Sequence, residues 1–252
     1  MEINLEKAKE EFIEYTENYD LQNYHIKGKQ EHSLRVMQIS KRIAEGLNLS
    51  QDEIELAALI GLLHDIARFE QYTQYATYKD WESFDHGDIG ADILKKDIRK
   101  YIKTDKYDEI IIKAVKNHNK FEIENGLTEK ELIQAQIIRD ADKIDILCQA
   151  VTRFWNGKEQ LVENSKVSQD VVDQIRNYTL VKRKKEETPV ENVISVIGFI
   201  FDINFKISLQ AIKQEDCINK ILDRYNFKDE YTKQSIEEVR KVANEYIKKG
   251  TK

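Results

Sequence analysis

Proline occurs once in 252 residues and glycine nine times, so little in this chain interrupts a helix. Apolar residues recur at steps of three and four along most of its length, and no convincing alternation of strand type is seen. Charged residues make up 34% of the chain, as expected of helices with one apolar and one solvated face. The spacing predicts amphipathic helices over Leu5 to Tyr19, from about Gln30 to Leu47, and from the capping box Ser50-Gln51-Asp52-Glu53 onward. Further helices are expected from near Asp85, over Tyr107 to Asn117, and after a second capping box, Thr128 to Glu131. Thr188-Pro189-Val190-Glu191 gives an N-cap, a proline at the first helical position and a capping glutamate. Helices near Cys217 to Tyr225 and Asp229 to Lys248 close the chain. The run Val193 to Phe201 could pass locally for a buried strand. Phe69 to Phe84, rich in tyrosine, breaks the periodicity and reads as a long loop, a feature uncommon without a function.

One stretch carries polar groups where apolar ones belong. Leu56, Leu59, Ile60 and Leu63 form a helical stripe, and His64 continues it, seven residues after Ala57 and four after Ile60, with Asp65 beside it. Burying a neutral polar group costs roughly 2–7 kcal/mol unless something pairs with it, and a metal ion would pair with both at once. The pattern repeats. His32 shares a stripe with Val36, Ile39 and Ile43; His86 leads one with Ile89, Gly90 and Ile93; His118 follows Ile111 and Ala114; Asp142 lies between Ile138 and Ile146. Singly, each could be a satisfied core histidine or a capping aspartate. Together, four of the five histidines and two aspartates lie on the inner faces of successive helices, and if those helices pack together the six groups must share one interior. Four imidazoles and two carboxylates without a thiolate suit manganese, iron, cobalt or nickel more than a structural zinc.

Composition bounds the rest. A net charge of −6 argues against a nucleic-acid-coating surface, though not against a cationic pocket for a small phosphate. No apolar run approaches the roughly 18 residues of a membrane span, and the acidic, amphipathic N-terminus does not resemble a signal peptide. A cytoplasmic location is expected. Cys148 and Cys217, distant in sequence and without partners at metal-ligand spacing, read as reduced core thiols.

The order of His32, then adjacent His64-Asp65, then Asp142 within "RDADKIDIL" resembles the HD-domain superfamily of metal-dependent phosphohydrolases, over about Ile26 to Val151. The resemblance implies an all-α fold; the HD metal-binding core is expected over residues 20–156, with an N-terminal helix within 1–19 packed on it and a C-terminal helical region, 157–252, in the same compact unit because no flexible linker separates them. It also implies one metal held by His32, His64, Asp65 and Asp142. His86 and His118 match the extra pair of two-metal subfamilies, where the aspartate of the HD pair bridges, so the second ion would take Asp65, His86 and His118. Two close ions would acidify a water and polarise phosphoryl oxygens. Arg68, one turn beyond Asp65, is the leading phosphate-binding candidate; its alternative is a surface ion pair with Glu70 or Asp88. Lys143 and Lys29 come second. Gln71, Tyr72, Tyr75 and Lys79 could line the pocket, Asp140 and Asp145 could fix a ligand or Arg68, and His25 reads as a solvent-facing connector.

The chain departs from two branches of that superfamily. Ile66-Ala67-Arg68-Phe69-Glu70 is not the HD-x-x-E-D run of guanosine tetraphosphate hydrolases, and the HD-GYP signature is absent. The region after Gly157 carries no family motif, and Lys182 to Lys185 reads as a solvated helix end. Three functions stand open at this point: hydrolysis of a small phosphate ester or anhydride, oxygen activation by an HD-fold diiron oxygenase with the same ligands, and metal-dependent partner binding without catalysis.

Overall fold

The computed structural model describes residues 2–153 and 155–252, and among these no strand occurs. The chain is all-α and divides into two compact units, residues 1–142 and 143–252. Among the described residues, no helix is long and apolar enough to cross a membrane.

The first unit is built around one buried helix. Its elements are α1 (Leu5–Glu17), α2 (Tyr24–Gly46), α3 (Gln51–Leu63), α4 (Arg68–Tyr75), α5 (His86–Asp97), α6 (Asp108–Asn117) and α7 (Glu129–Ala150), whose last turns belong to the second unit. All ten residues from Ile54 to Leu63 are buried, so α3 is covered on every side. Its start is set by the Ser50–Glu53 capping box, present in both directions. Against α3 lies the inner face of α2, with His32, Ser33, Val36, Met37, Ser40 and Ile43 buried. The contact is close because of Gly61: a Cβ there would stand 2.9 Å from the Val36 carbonyl oxygen and 3.0 Å from the Met37 Cα. From α1, Phe12 packs edge-on against Phe69, and the Tyr15 hydroxyl donates to the Ile66 carbonyl, one residue beyond Asp65.

Two local expectations change here. The stretch after Phe69 is not one long loop: α4 covers half of it, and a 3₁₀ turn, Asp80–Glu82, orders the rest. Buried Phe69 and Gln71 tie α4 to its surroundings, contacts that the polar composition concealed. And α2 begins at Tyr24, not near Gln30, because the Asn23 side chain accepts from the His25 amide and caps it.

The second unit holds α8 (Glu159–Glu163), α9 (Gln169–Arg176), α10 (Pro189–Ile197), α11 (Lys206–Glu215), α12 (Cys217–Leu222) and α13 (Glu230–Gly250). The run read as a possible strand is α10 followed by a 3₁₀ turn, Gly198–Asp202. Its residues Val193 to Ile197 are buried, so neither period is visible, and the capping box at Thr188 decides for helix. Thr188→Ala is expected to destabilise this unit by about 1 kcal/mol, a shift measurable by urea denaturation. Lys182 to Lys185 are exposed, but in the irregular connection between α9 and α10, not at a helix end. Cys148 is half-buried and not a core residue; only Cys217 is buried.

Candidate metal centre

His64 and His118 occupy the same local position, the residue that ends α3 and the residue that ends α6. The last carbonyls of a helix lack intrahelical donors. His64 Nδ1 reaches the Gly61 carbonyl at 2.8 Å, and His118 Nδ1 the Val115 carbonyl at 2.6 Å. A carbonyl only accepts, so each Nδ1 carries the proton and each Nε2 keeps its lone pair. His86 opens α5, and its Nδ1 donates to the Asp80 carboxylate at 2.7 Å, which frees that Nε2 as well. Thus His64, His86 and His118 stand at helix ends, where the chain can turn a ring inward, and not within helical stripes.

Their open nitrogens meet around one carboxylate. Asp65 Oδ2 lies 3.5 Å from both His32 Nε2 and His64 Nε2, while Asp65 Oδ1 lies 3.4 Å from His86 Nε2 and 3.5 Å from His118 Nε2. Asp142 Oδ1 joins the first set, 3.1 Å from His32 Nε2 and 3.7 Å from His64 Nε2. The two oxygens of Asp65 therefore face two separate pairs of imidazoles. His32, His64 and Asp142 form one group able to hold a metal ion, and His64, Asp65 and His118 another.

These donors fit a cation. The Nε2 atoms of His86 and His118 are 3.0 Å apart, both buried and both with lone pairs forward. Two such acceptors cannot bond each other, so a proton or a metal ion must reconcile them. Burial opposes the proton. It pushes the His86 imidazole down to about 4, helped by Arg68 and only partly countered by Asp80. Burial likewise lowers His64 despite the nearby Asp65. The carboxylates remain ionised: burial would raise Asp65, but the Lys29 ammonium, with Arg68 beside it, outweighs burial and holds it well below the usual range. For Asp142, the His32 side chain 3.1 Å away, with His64 beyond it, overcomes the same penalty. Neutral imidazoles and ionised carboxylates are the forms a metal ion binds.

Two cations flank Asp65. Lys29 Nζ is 2.6 Å from Oδ2, and Arg68 Nε 3.5 Å from Oδ1. The Tyr78 ring lies over both, 5.3 Å from the Lys29 nitrogen and 5.5 Å from the Arg68 guanidinium carbon. Arg68 Nη1 donates to Gln71, the Tyr78 carbonyl and Asp80, whereas Nε is buried without a hydrogen-bond partner. Arg68 thus pairs with Asp65 and Asp80, not with Glu70 or Asp88.

The other sequence candidates separate. Gln71 is buried and donates to Asp80, Ser83 and the Phe84 carbonyl, so it orders the loop. Tyr72 lies against Tyr78 and stacks on His25, which is exposed but not an idle connector. Tyr75 packs against Phe84, and Lys79 pairs with Glu82 at the surface. Asp140 and Asp145 are buried. Lys143 pairs with Asp202 at 2.8 Å in the second unit.

Sequence reasoning missed Asp80 and Asn119. Asp80 accepts from Arg68, Gln71, His86 and Asn119, and so fixes both a candidate ligand and the leading cation. It sits in an aperiodic segment, where a functional carboxylate gives no signal that a solvated one does not. Asp80→Ala is expected to weaken metal affinity about 10–100-fold, read by titrating the metal-free protein with manganese.

Fold and donor set together define an all-helical unit with histidine and aspartate clusters able to hold a metal ion. Residues 30–147, which include all six donors, match the family model described as HD domain, and this supports the HD superfamily for that segment. No curated protein and no solved structure matches the chain.

Proposed function

We propose that this protein is a metal-dependent phosphohydrolase acting on a phosphate ester or anhydride of a small molecule, a nucleotide being one such substrate. The observation that carries the reading is Asp65, with each carboxylate oxygen turned to its own imidazole pair. In this reading His32, His64, Asp65 and Asp142 hold one divalent ion, and Asp65, His86 and His118 a second. Manganese, iron, cobalt and nickel suit these ligands. The ions would polarise phosphoryl oxygens and lower the pKa of water toward neutrality.

The chain's own groups do the positioning. The Nδ1 bonds of His64, His86 and His118 fix ring direction and tautomer, so the donor atoms are set before an ion arrives. Arg68, tethered through Nη1 and with Nε unsatisfied, offers a planar charge-assisted contact to a phosphoryl oxygen. Lys29 supplies a second positive charge beside Asp65. The Tyr78 ring over the two cations limits water there and raises their attraction for an anion. Lys143, a candidate from sequence for the same charge role, is assigned to its ion pair with Asp202 instead.

The test is phosphate release from nucleotides and generic phosphate esters by protein loaded with manganese, cobalt or ferrous iron. Metal-dependent release is expected, and Arg68→Ala should lower kcat/KM about 10²–10³-fold with metal content unchanged. Loaded wild-type protein that releases no phosphate from any of them, or that consumes oxygen with ferrous iron, would overturn the reading.

A further inference from the structure

The second unit brings together the chain's only two cysteines. Cys148 lies near the C-terminal end of α7 and Cys217 opens α12, 69 residues on, yet their sulfurs stand 3.7 Å apart. Both are free thiols. Nothing in the phosphohydrolase reading uses them.

Their surroundings differ in a way that assigns roles. Cys148 is half-buried and open to a small solute, whereas Cys217 is 1% exposed. The hydrogen-bond contact with Cys217 holds the Cys148 thiol below its usual range against the effect of burial. Cys217 itself is pushed up by Cys148 and by burial. Cys148 is therefore the sulfur an oxidant can reach first, and the thiolate is the nucleophile in thiol chemistry.

We propose that Cys148 and Cys217 form an oxidisable dithiol, a modification site at which a peroxide-class oxidant installs an intramolecular disulfide. Cys148 Sγ, as thiolate, attacks one peroxide oxygen; the O–O bond breaks, the other oxygen leaves as water after taking up a proton, and Cys148 becomes a sulfenic acid. Cys217 Sγ then attacks the Cys148 sulfur; the S–O bond breaks, a second water leaves, and the S–S bond forms. Two thiols give two electrons and two protons, and one hydrogen peroxide becomes two waters. Closing the bond requires the sulfurs to move from 3.7 Å to about 2.05 Å. The link would close a loop over α8 to α11 and tie the end of α7 to α12. Constraining the unfolded chain in this way stabilises the folded unit. A dithiol reductant reverses the step by exchange.

The experiment uses the full chain, reduced, freed of reductant and treated with dilute hydrogen peroxide under native conditions. Remaining thiols are then alkylated in denaturant for intact mass and peptide mapping. The expected product has lost about 2 Da, the two thiol hydrogens, carries no alkyl group, and yields one linked peptide containing Cys148 and Cys217. Dithiothreitol should restore both thiols. The oxidised protein should melt higher than the reduced one, by on the order of 5–10 °C. In Cys217→Ser, Cys148 should instead accumulate oxygen adducts. Wild-type protein that keeps two alkylatable thiols, adds oxygen at Cys148 without linking, links between chains, or links only after denaturation would overturn the proposal. These readouts come from wild-type protein and need no variant to fold.

Discussion

Asp65→Asn is expected to leave a folded protein that binds neither metal ion and releases phosphate only at the metal-free background. The amide keeps the carboxylate's shape but loses its charge, and one of its two ends becomes a donor. Whichever way it turns, one imidazole pair meets an NH₂ group where it now faces an oxygen, at 3.4–3.5 Å. The other pair keeps a neutral oxygen that cannot offset a divalent charge. Lys29 loses its 2.6 Å partner as well, but its side chain is 20% exposed, so the ammonium can turn toward water and the fold survives. His118→Ala should behave differently. It touches only the Oδ1 side and should cost one ion while His32, His64, Asp65 and Asp142 keep the other. Metal analysis of the purified proteins by mass spectrometry, beside their helical circular dichroism, separates the cases: about two equivalents for wild type, one for His118→Ala and none for Asp65→Asn. Two equivalents retained in Asp65→Asn would mean that the carboxylate does not bridge.

Gly61→Val should destabilise the first unit by about 1–3 kcal/mol, although valine is the better helix former by a few tenths of a kcal/mol. The new Cβ would stand 2.7 Å from Ser40 Oγ, 2.9 Å from the Val36 carbonyl oxygen and 3.0 Å from the Met37 Cα. A serine rotamer can yield; the α2 backbone can yield only by moving the helix. That movement reaches the centre along two routes. His32 lies on α2 one turn before Val36, and the Gly61 carbonyl is the acceptor that orients the His64 ring. Loss of stability in urea should therefore be accompanied by weaker manganese binding. A Gly61→Val protein with wild-type values for both would show that the close approach of α2 and α3 is not needed.

Arg68 shows how far a one-dimensional reading reaches. Its distance of three residues from Asp65 in the chain is enough to suggest proximity, and the 3.5 Å contact follows from the turn between α3 and α4. That Asp80 and Tyr78 would hold it is not in that spacing, because both arrive from a segment without periodicity. His64 and His118 make a related point. Helical counting puts both at the inner edge of a helix, but the free carbonyl of the last turn, not the stripe, sets the direction of each ring.

What this sequence determines by itself is local. The scarcity of helix breakers, the boxes at Ser50, Thr128 and Thr188, and the 3.6-residue period specify where most helices run, since each depends on groups within a turn of one another. The same period marks six polar groups as misplaced on inner faces, because leaving them unpaired in a core costs too much. Tertiary packing decides the rest: that the two oxygens of Asp65 face different imidazole pairs, that Asp80 gathers Arg68 and His86, and that Cys148 meets Cys217 across 69 residues. Those relations depend on how helices seat against each other through contacts such as Gly61 on α2, and no local pattern carries that information.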